Sequence, residues 1–163
     1  MEKGTLNISV KELYEEYSDD ILRYSFSILR NYEEAEDIVQ EVFARHLENE
    51  ESFKGQCSLK TWLFVITRNL CYSRRRNKSF HNTRIEGDLL EKNYTESFDL
   101  NISIQDALMK LSKESSELLY LKEFEGYSYL EISEMAKISV ENVAVKLYRA
   151  KKLLRKYLKD FKE

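Results

Sequence analysis

The sequence predicts an all-α protein built from two small helical domains. It has 163 residues, no proline and only four glycines, a composition that argues against a sheet connected by tight turns. Apolar residues recur at helical spacing on both sides of a polar segment that lacks periodicity. We therefore expect a first domain at 1–78, a flexible linker at 79–103 and a second domain at 104–163.

The first domain is predicted to contain three helices. Ser9 and Glu12 have the spacing of a capping box at the start of the first helix. Its apolar stripe consists of Leu13, Tyr17, Ile21, Tyr24 and Ile28. A second helix opens at Asn31, with an inner face of Ala35, Ile38, Val39, Val42, Phe43, His46 and Leu47. After a loop at 49–57, Ser58 caps a third helix, whose inner side carries Leu59, Trp62, Leu63, Ile66, Leu70 and Ser73.

The second domain has the layout of a helix-turn-helix. Short helices near 104–111 and 113–124 end at Gly126, and Ser128 with Glu131 forms a second capping box. A helix of about eight residues and a short turn lead to Ser139, which caps a long last helix. The predicted buried stripe of that helix is Val140, Val143, Leu147, Ala150 and Leu154. An ordinary three-helix bundle with a basic surface helix is the alternative.

The net charge of −3 conceals two blocks of opposite sign. Residues 1–53 carry 14 acidic and five basic side chains, whereas residues 54–84 carry eight basic side chains and no acidic one. Solvated helix faces explain most charge runs, but so long a stretch of one sign indicates a charged partner. The basic block predicts contact with nucleic acid.

A second face of the third helix combines basic and aromatic side chains. It is formed by Lys60, Phe64, Arg68, Cys71 and Arg75. Basic side chains follow phosphates, and aromatic rings stack on unpaired bases. Phe64 is the expected stacking residue, because Trp62 falls on the apolar side and is expected to pack in the core rather than to stack on a base.

Several other classes of protein are disfavoured. No apolar run approaches the roughly 18 residues that a membrane span requires, and the first residues do not form a secretory signal. Cys57 and Cys71 lack CxxC spacing, so the sequence indicates neither a disulfide framework nor a zinc site, and two free thiols fit a reducing cytoplasm.

The sequence also offers no basis for catalysis, a cofactor or a bound metal. His46 and His81 share no cluster with the cysteines, and neither a nucleophile–base pair nor a phosphate-binding loop is visible. Glu33, Asp37 and Glu41 share one helix face as possible metal ligands, but exposed carboxylates on a single helix seldom suffice.

Three segments resemble, in the same order, motifs of the extracytoplasmic-function (ECF) sigma factors of bacterial RNA polymerase. They are NYEEAEDIVQEVFARHL, FKGQCSLKTWLFVITRNLCYSRRR and ALMKLSKESSELLYLKEFEGYSYLEISEMAKISVENVAVKLYRAKKLL. The resemblance runs from about residue 10 to 158. It implies a non-enzymatic, cytoplasmic promoter-recognition subunit, with core RNA polymerase, promoter DNA and an anti-sigma factor as partners. The first domain would bind the polymerase clamp and the −10 element, the second domain would bind the −35 element, and the linker would thread the polymerase.

The resemblance also implies roles for individual residues. The polymerase would be bound by Asp37, Gln40 and Glu41. The −10 strand would meet Arg68, Asn69, Arg74, Arg75 and Arg76, beside Lys60 and Phe64. The −35 element would meet the outward side of the last helix, formed by Asn142, Ala144, Val145, Lys146, Tyr148, Arg149 and Lys152.

Two departures from the family pattern concern the second domain. Lys137 stands where the family usually has glycine in a left-handed turn, at a cost of about 1 kcal/mol if the turn is kept. Ala144 and Val145 replace polar base-reading residues, which puts the usual −35 sequence in doubt. A stand-alone helix-turn-helix regulator, whose acidic domain senses a ligand or dimerises, is the rival hypothesis. It leaves the basic third helix and the acidic motif unexplained.

Overall fold

The computed structural model describes residues 8–81 and 102–160, and every regular element in these two ranges is helical. The first domain consists of α1 (Val10–Leu29), α2 (Tyr32–Glu48) and α3 (Leu59–His81), with a 3₁₀ turn at Glu50–Ser52. The second consists of α4 (Ile102–Met109), α5 (Lys113–Leu119), a π-helical turn (Tyr120–Phe124), α6 (Tyr129–Ala136) and α7 (Val140–Asp160). The all-α prediction is confirmed. Most of the predicted linker lies outside the described residues.

Side-chain caps fix the starts of the helices where the sequence predicts them. The Ser9 hydroxyl accepts a hydrogen bond from the Glu12 N–H at 3.2 Å, and the Glu12 carboxylate accepts one from the Ser9 N–H at 2.9 Å. Ser128 and Glu131 make the same reciprocal pair at 3.1 and 2.7 Å. Each capping box satisfies two backbone donors that the first turn of a helix leaves without partners.

The core of the first domain lies where α1 packs against α2 and α3. The predicted stripes of α1 and α2 are buried, apart from the half-buried Tyr17 and the exposed Leu47. The prediction for Leu47 is wrong, since its side chain is 51% exposed. It follows the buried His46 by about 100° around α2, which places it beyond the edge of the buried stripe.

In the second domain, α7 packs across α4, α5 and α6. Val143, Leu147 and Ala150 are buried, and Leu154 is half-buried. Val140 is exposed, contrary to prediction, because it is the first residue of α7 and lies at the helix end. None of the described helices combines the length and the apolar character needed to cross a membrane.

The two domains pack directly against each other, an arrangement that the sequence did not predict. In this interface α1 contacts α5 and the π-helical turn. Arg30, which ends α1 in a left-handed conformation with φ of 54°, donates a hydrogen bond to the Met109 carbonyl at 3.0 Å and a second one to the Leu111 carbonyl. A cation thus meets backbone carbonyls at and just beyond the C-terminal end of α4, where the helix dipole favours positive charge.

Candidate nucleic-acid interface

The basic face of α3 is only partly exposed in this structure, because the second domain packs against it; the side chains of Lys60, Arg68 and Arg75 are 32%, 18% and 27% exposed. Lys60, Arg68 and Arg75 each pair with a different carboxylate from the second domain. Arg68 lies 2.7 Å from Glu117, and Arg75 lies 3.6 Å from Glu114. Lys60 contacts Glu125, and it also lies 3.1 Å from Asp20 of α1.

Glu117 is the buried centre of this interface, with a side chain only 1% exposed. One of its carboxylate oxygens accepts hydrogen bonds from the Tyr24 hydroxyl and from the Arg68 Nε, both at 2.7 Å. The other oxygen accepts one from the Tyr72 hydroxyl. A carboxylate from α5 thereby binds one donor of α1 and two of α3, which compensates for its removal from water.

The surroundings of the interface donors favour their protonated forms. Burial, followed by the charge of Glu117, raises the pKa of both the Tyr24 and the Tyr72 hydroxyls. Burial alone would lower the pKa of Lys60, but its hydrogen bonds to Glu125 and Asp20 outweigh burial and raise it. The donors therefore hold their protons at neutral pH.

The predicted exposure of Phe64 is wrong in this structure, and so is that of Cys71, since both side chains are fully buried. The Phe64 ring stacks on Tyr24 with 4.9 Å between centroids and meets Tyr127 of the second domain at 6.2 Å. The hydroxyls of Thr61 and Tyr127 are 3.1 Å apart beside it. Helical periodicity places Phe64 opposite the apolar side of α3, but Tyr24 of α1 and Tyr127 of the second domain both pack on that side.

Trp62 belongs to the core, as the sequence predicts. Its side chain is half-buried against the core cluster, and its ring centroid is 5.5 Å from that of Phe53 in the loop before α3.

The acidic side of α2 stays largely accessible. Asp37 and Gln40 are exposed, and the Glu41 side chain is 36% exposed. Arg74, expected to meet DNA, instead faces this side. Its guanidinium is 3.3 Å from Glu41 and 3.8 Å from Asp37. Because an exposed ion pair is weak, these carboxylates remain available to a cationic partner.

The C-terminal end of α3 retains positive charge. Asn69 and Arg76 are exposed there. A cavity of about 310 Å³ beside Arg75 is lined by Lys78 and Lys113 as well, with Glu34 supplying negative charge. Burial, followed by the neighbouring cations, lowers the pKa of Lys113. This end of the face is where an approaching phosphate would find incompletely neutralised charge.

The helix-turn-helix keeps the predicted geometry, including its unusual turn. Lys137 ends α6 with φ of 56° and ψ of 43°, so the left-handed conformation is retained without glycine. The Ser139 hydroxyl caps α7 by accepting the Asn142 N–H at 3.1 Å. The predicted outward residues of α7 lie at the surface, with Ala144 half-buried and the others exposed, namely Asn142, Val145, Lys146, Tyr148, Arg149 and Lys152.

Sequence reasoning missed the partners that the second domain supplies to α3. Glu117 had one available signal, its position four residues before the buried Leu121 on the same side of the helical segment. A carboxylate on an apolar side indicates a buried polar contact. Glu114, Glu125 and Tyr127 carry no comparable signal.

The comparisons with known proteins agree with this arrangement of an acidic surface, a basic helix and a helix-turn-helix. Residues 13–81 match sigma-70 region 2, and residues 101–154 match sigma-70 region 4. These two regions define a transcription initiation factor of the sigma-70 class. More particularly, the chain belongs to the ECF sigma factors, which direct core RNA polymerase to promoters.

Two relatives from Bacillus subtilis and one solved structure illustrate the likeness. The RNA polymerase sigma factor YlaC is 29% identical over 164 residues, 95% of each chain. The ECF RNA polymerase sigma factor SigW is 30% identical over 160 residues, 88% of this chain and 86% of SigW. The sigma factor RpoE of Bartonella quintana, solved in complex with the anti-sigma factor NepR, matches with a TM-score of 0.76. It is 25% identical and covers 91% of this chain, which itself covers 96% of that structure.

Proposed function

We propose that this ECF sigma factor divides its task among three surfaces. The acidic side of α2, with Asp37, Gln40 and Glu41, binds a basic surface of core polymerase. The basic face of α3 binds the melted −10 strand, and the outward side of α7 reads the −35 element in the major groove. The observation that carries this proposal is the separation of opposite charge between the exposed side of α2 and the basic face of α3.

The −10 surface is formed by Lys60, Phe64, Arg68, Asn69, Arg75 and Arg76, with Arg74 at the boundary with the acidic side of α2. Arginine and lysine side chains bind phosphate by charge-assisted hydrogen bonds. The Phe64 ring would stack on an unpaired base. Both contacts require the second domain to move away from α3, because that domain covers Phe64 and Arg68 here.

The −35 surface combines cationic and apolar groups. Arg149 and Lys152 would bind phosphate or guanine, and Asn142 can pair with adenine. Val145, with a side chain 46% exposed, offers an apolar contact for the C5-methyl group of thymine. An apolar residue at a base-facing position favours a thymine-containing site.

The protein is further proposed to work in the cytoplasm, without enzymatic activity of its own, under the control of an anti-sigma factor. Sigma factors are in general non-catalytic regulators. RpoE, solved with its anti-sigma factor, supports the last point. A stand-alone helix-turn-helix regulator is not favoured, because such a protein has no need of sigma-70 region 2.

Two measurements test the proposal. Purified protein should bind core polymerase in a pull-down and should direct run-off transcription from a subset of a promoter library. Arg75→Gln with Arg76→Gln should reduce open-complex formation and lower its salt dependence, by about 0.7 units of log–log slope for each lost phosphate contact on a single strand. An unchanged slope in the double variant would refute the −10 assignment.

A further inference from the structure

We propose that the second domain is an internal competitor for the DNA-binding face of α3, with three carboxylates in the places of strand phosphates. This inference rests on the proposed binding of the −10 strand by α3. It adds that the closed chain inhibits its own DNA binding until the domains separate.

The carboxylates follow the basic face in register. Lys60, Arg68 and Arg75 lie at i, i+8 and i+15 along α3, a span of about 22 Å at 1.5 Å per residue. Their partners run the other way along the second domain, with Glu125 on Lys60, Glu117 on Arg68 and Glu114 on Arg75. A carboxylate oxygen accepts the same charge-assisted hydrogen bonds as a phosphate oxygen. Three anions along one basic helix therefore reproduce the charge of a bound strand.

The aromatic part of the surface is occupied in the same way. Tyr127 lies against the ring of Phe64 and beside the hydroxyl of Thr61. The Phe64 ring, which would stack on a base, already packs on the second domain. Both chemical components of single-strand recognition, charge and stacking, are thus taken by side chains of the same chain.

The ion pairs of this interface can be exchanged for contacts with DNA. A buried ion pair contributes little net stability relative to its separated, hydrated partners. The cations of α3 lose little electrostatic stabilisation when a phosphate replaces a carboxylate, because the new partner has the same charge. Core polymerase can shift the equilibrium to the open form to the extent that it binds that form more tightly.

The test uses the full chain and a short fluorescein-labelled single-stranded DNA, with affinity measured by fluorescence anisotropy. Glu117→Gln, and more strongly the triple variant Glu114→Gln/Glu117→Gln/Glu125→Gln, should bind the strand more tightly than wild type. At least about tenfold tighter binding is expected if at most a tenth of the wild-type chain is open and the triple variant is fully open. Small-angle scattering should show a larger radius of gyration for the triple variant.

Glu134→Gln is the matched control for a general charge effect. Glu134 is exposed on α6, and its replacement removes the same charge from the same domain, so strand affinity should stay near that of wild type. The double variant Glu114→Gln/Glu125→Gln leaves the buried Glu117 intact, and it should still bind the strand more tightly if Glu117→Gln does not fold.

Two results would overturn the inference. One is that folded carboxylate variants bind the strand no more tightly than wild type, and the other is that Glu134→Gln gives an equal gain. The transcription assay on the Arg75 and Arg76 variants distinguishes failure of the internal-competition inference from failure of the proposed −10 binding. Loss of open complexes in those variants would show that α3 still binds DNA without internal competition.

Discussion

Charge reversal of Asp37 separates polymerase binding from folding. Asp37 lies on the acidic side of α2, its side chain is 69% exposed, and its described partner is Arg74 at 3.8 Å. Asp37→Lys replaces an anion that we expect to meet a basic surface of the polymerase with a cation. We expect it to weaken core binding strongly while the fold remains intact.

The structure sets the relative sizes of these two effects. Loss of one exposed ion pair costs about 0.2–1 kcal/mol, and new repulsion from Arg74 adds a similar amount. The free energy of unfolding should therefore fall by no more than about 2 kcal/mol. A charge pair that becomes buried in an interface couples more strongly, and its disruption costs about 2–5 kcal/mol, roughly 30-fold or more in affinity. Glu41→Lys is less suitable, because Glu41 pairs with both Arg45 and Arg74.

The assay compares core-polymerase affinity with urea unfolding for the same protein samples. Asp19→Lys is the matched control, since Asp19 is exposed on α1 and undergoes the same change of charge. The reasoning is refuted if Asp37→Lys binds core polymerase as tightly as Asp19→Lys does. It is also refuted if any loss of affinity is accompanied by unfolding at the assay temperature.

Three further predictions concern the turn, the recognition helix and the cysteines. Lys137→Gly should raise the free energy of unfolding in urea by about 0.5–1 kcal/mol, because φ of 56° strains every residue with a Cβ; Lys137→Ala should give no such gain. Thymine-to-uracil replacement in the −35 site should weaken binding by up to about 1 kcal/mol, less than the loss of a good bidentate base contact. Val145→Ser should abolish the difference between the two DNAs. Equal binding of both DNAs by wild type would exclude a contact between Val145 and the thymine methyl group. A thiol reagent at pH 8 should modify the exposed Cys57 and spare Cys71 until the chain is denatured, since burial raises the pKa of Cys71 to about 12. Because this raised pKa favours the folded state only while the unfolded thiol stays protonated, the Cys71 contribution to stability should decline from about pH 9 towards 12.

The sequence by itself determined the helical class, most of the helix starts and the class of protein, although α4 begins at Ile102 rather than near residue 104 and the segment 113–124 divides into α5 and a π-helical turn. The capping boxes at Ser9 and Ser128 and the cap at Ser139 form as predicted, because a cap depends on residues three positions apart. The buried stripes follow from the period of 3.6 residues, which is equally local. The left-handed turn at Lys137 also persists, since its cost of about 1 kcal/mol is smaller than the packing of α6 and α7 that it permits.

Only the tertiary structure decided what the basic face of α3 contacts. Tyr24 and Glu117 are 93 residues apart in the chain, so no periodicity or spacing connects them. Phe64 lies on the side of α3 that helical phase assigns to solvent, and it is nevertheless buried between Tyr24 of α1 and Tyr127 of the second domain. Helical periodicity shows which face of α3 is apolar, but it does not show whether another part of the chain covers the opposite face. Whether another domain covers that face depends on complementary charge and shape between distant segments, which the local pattern around α3 does not encode.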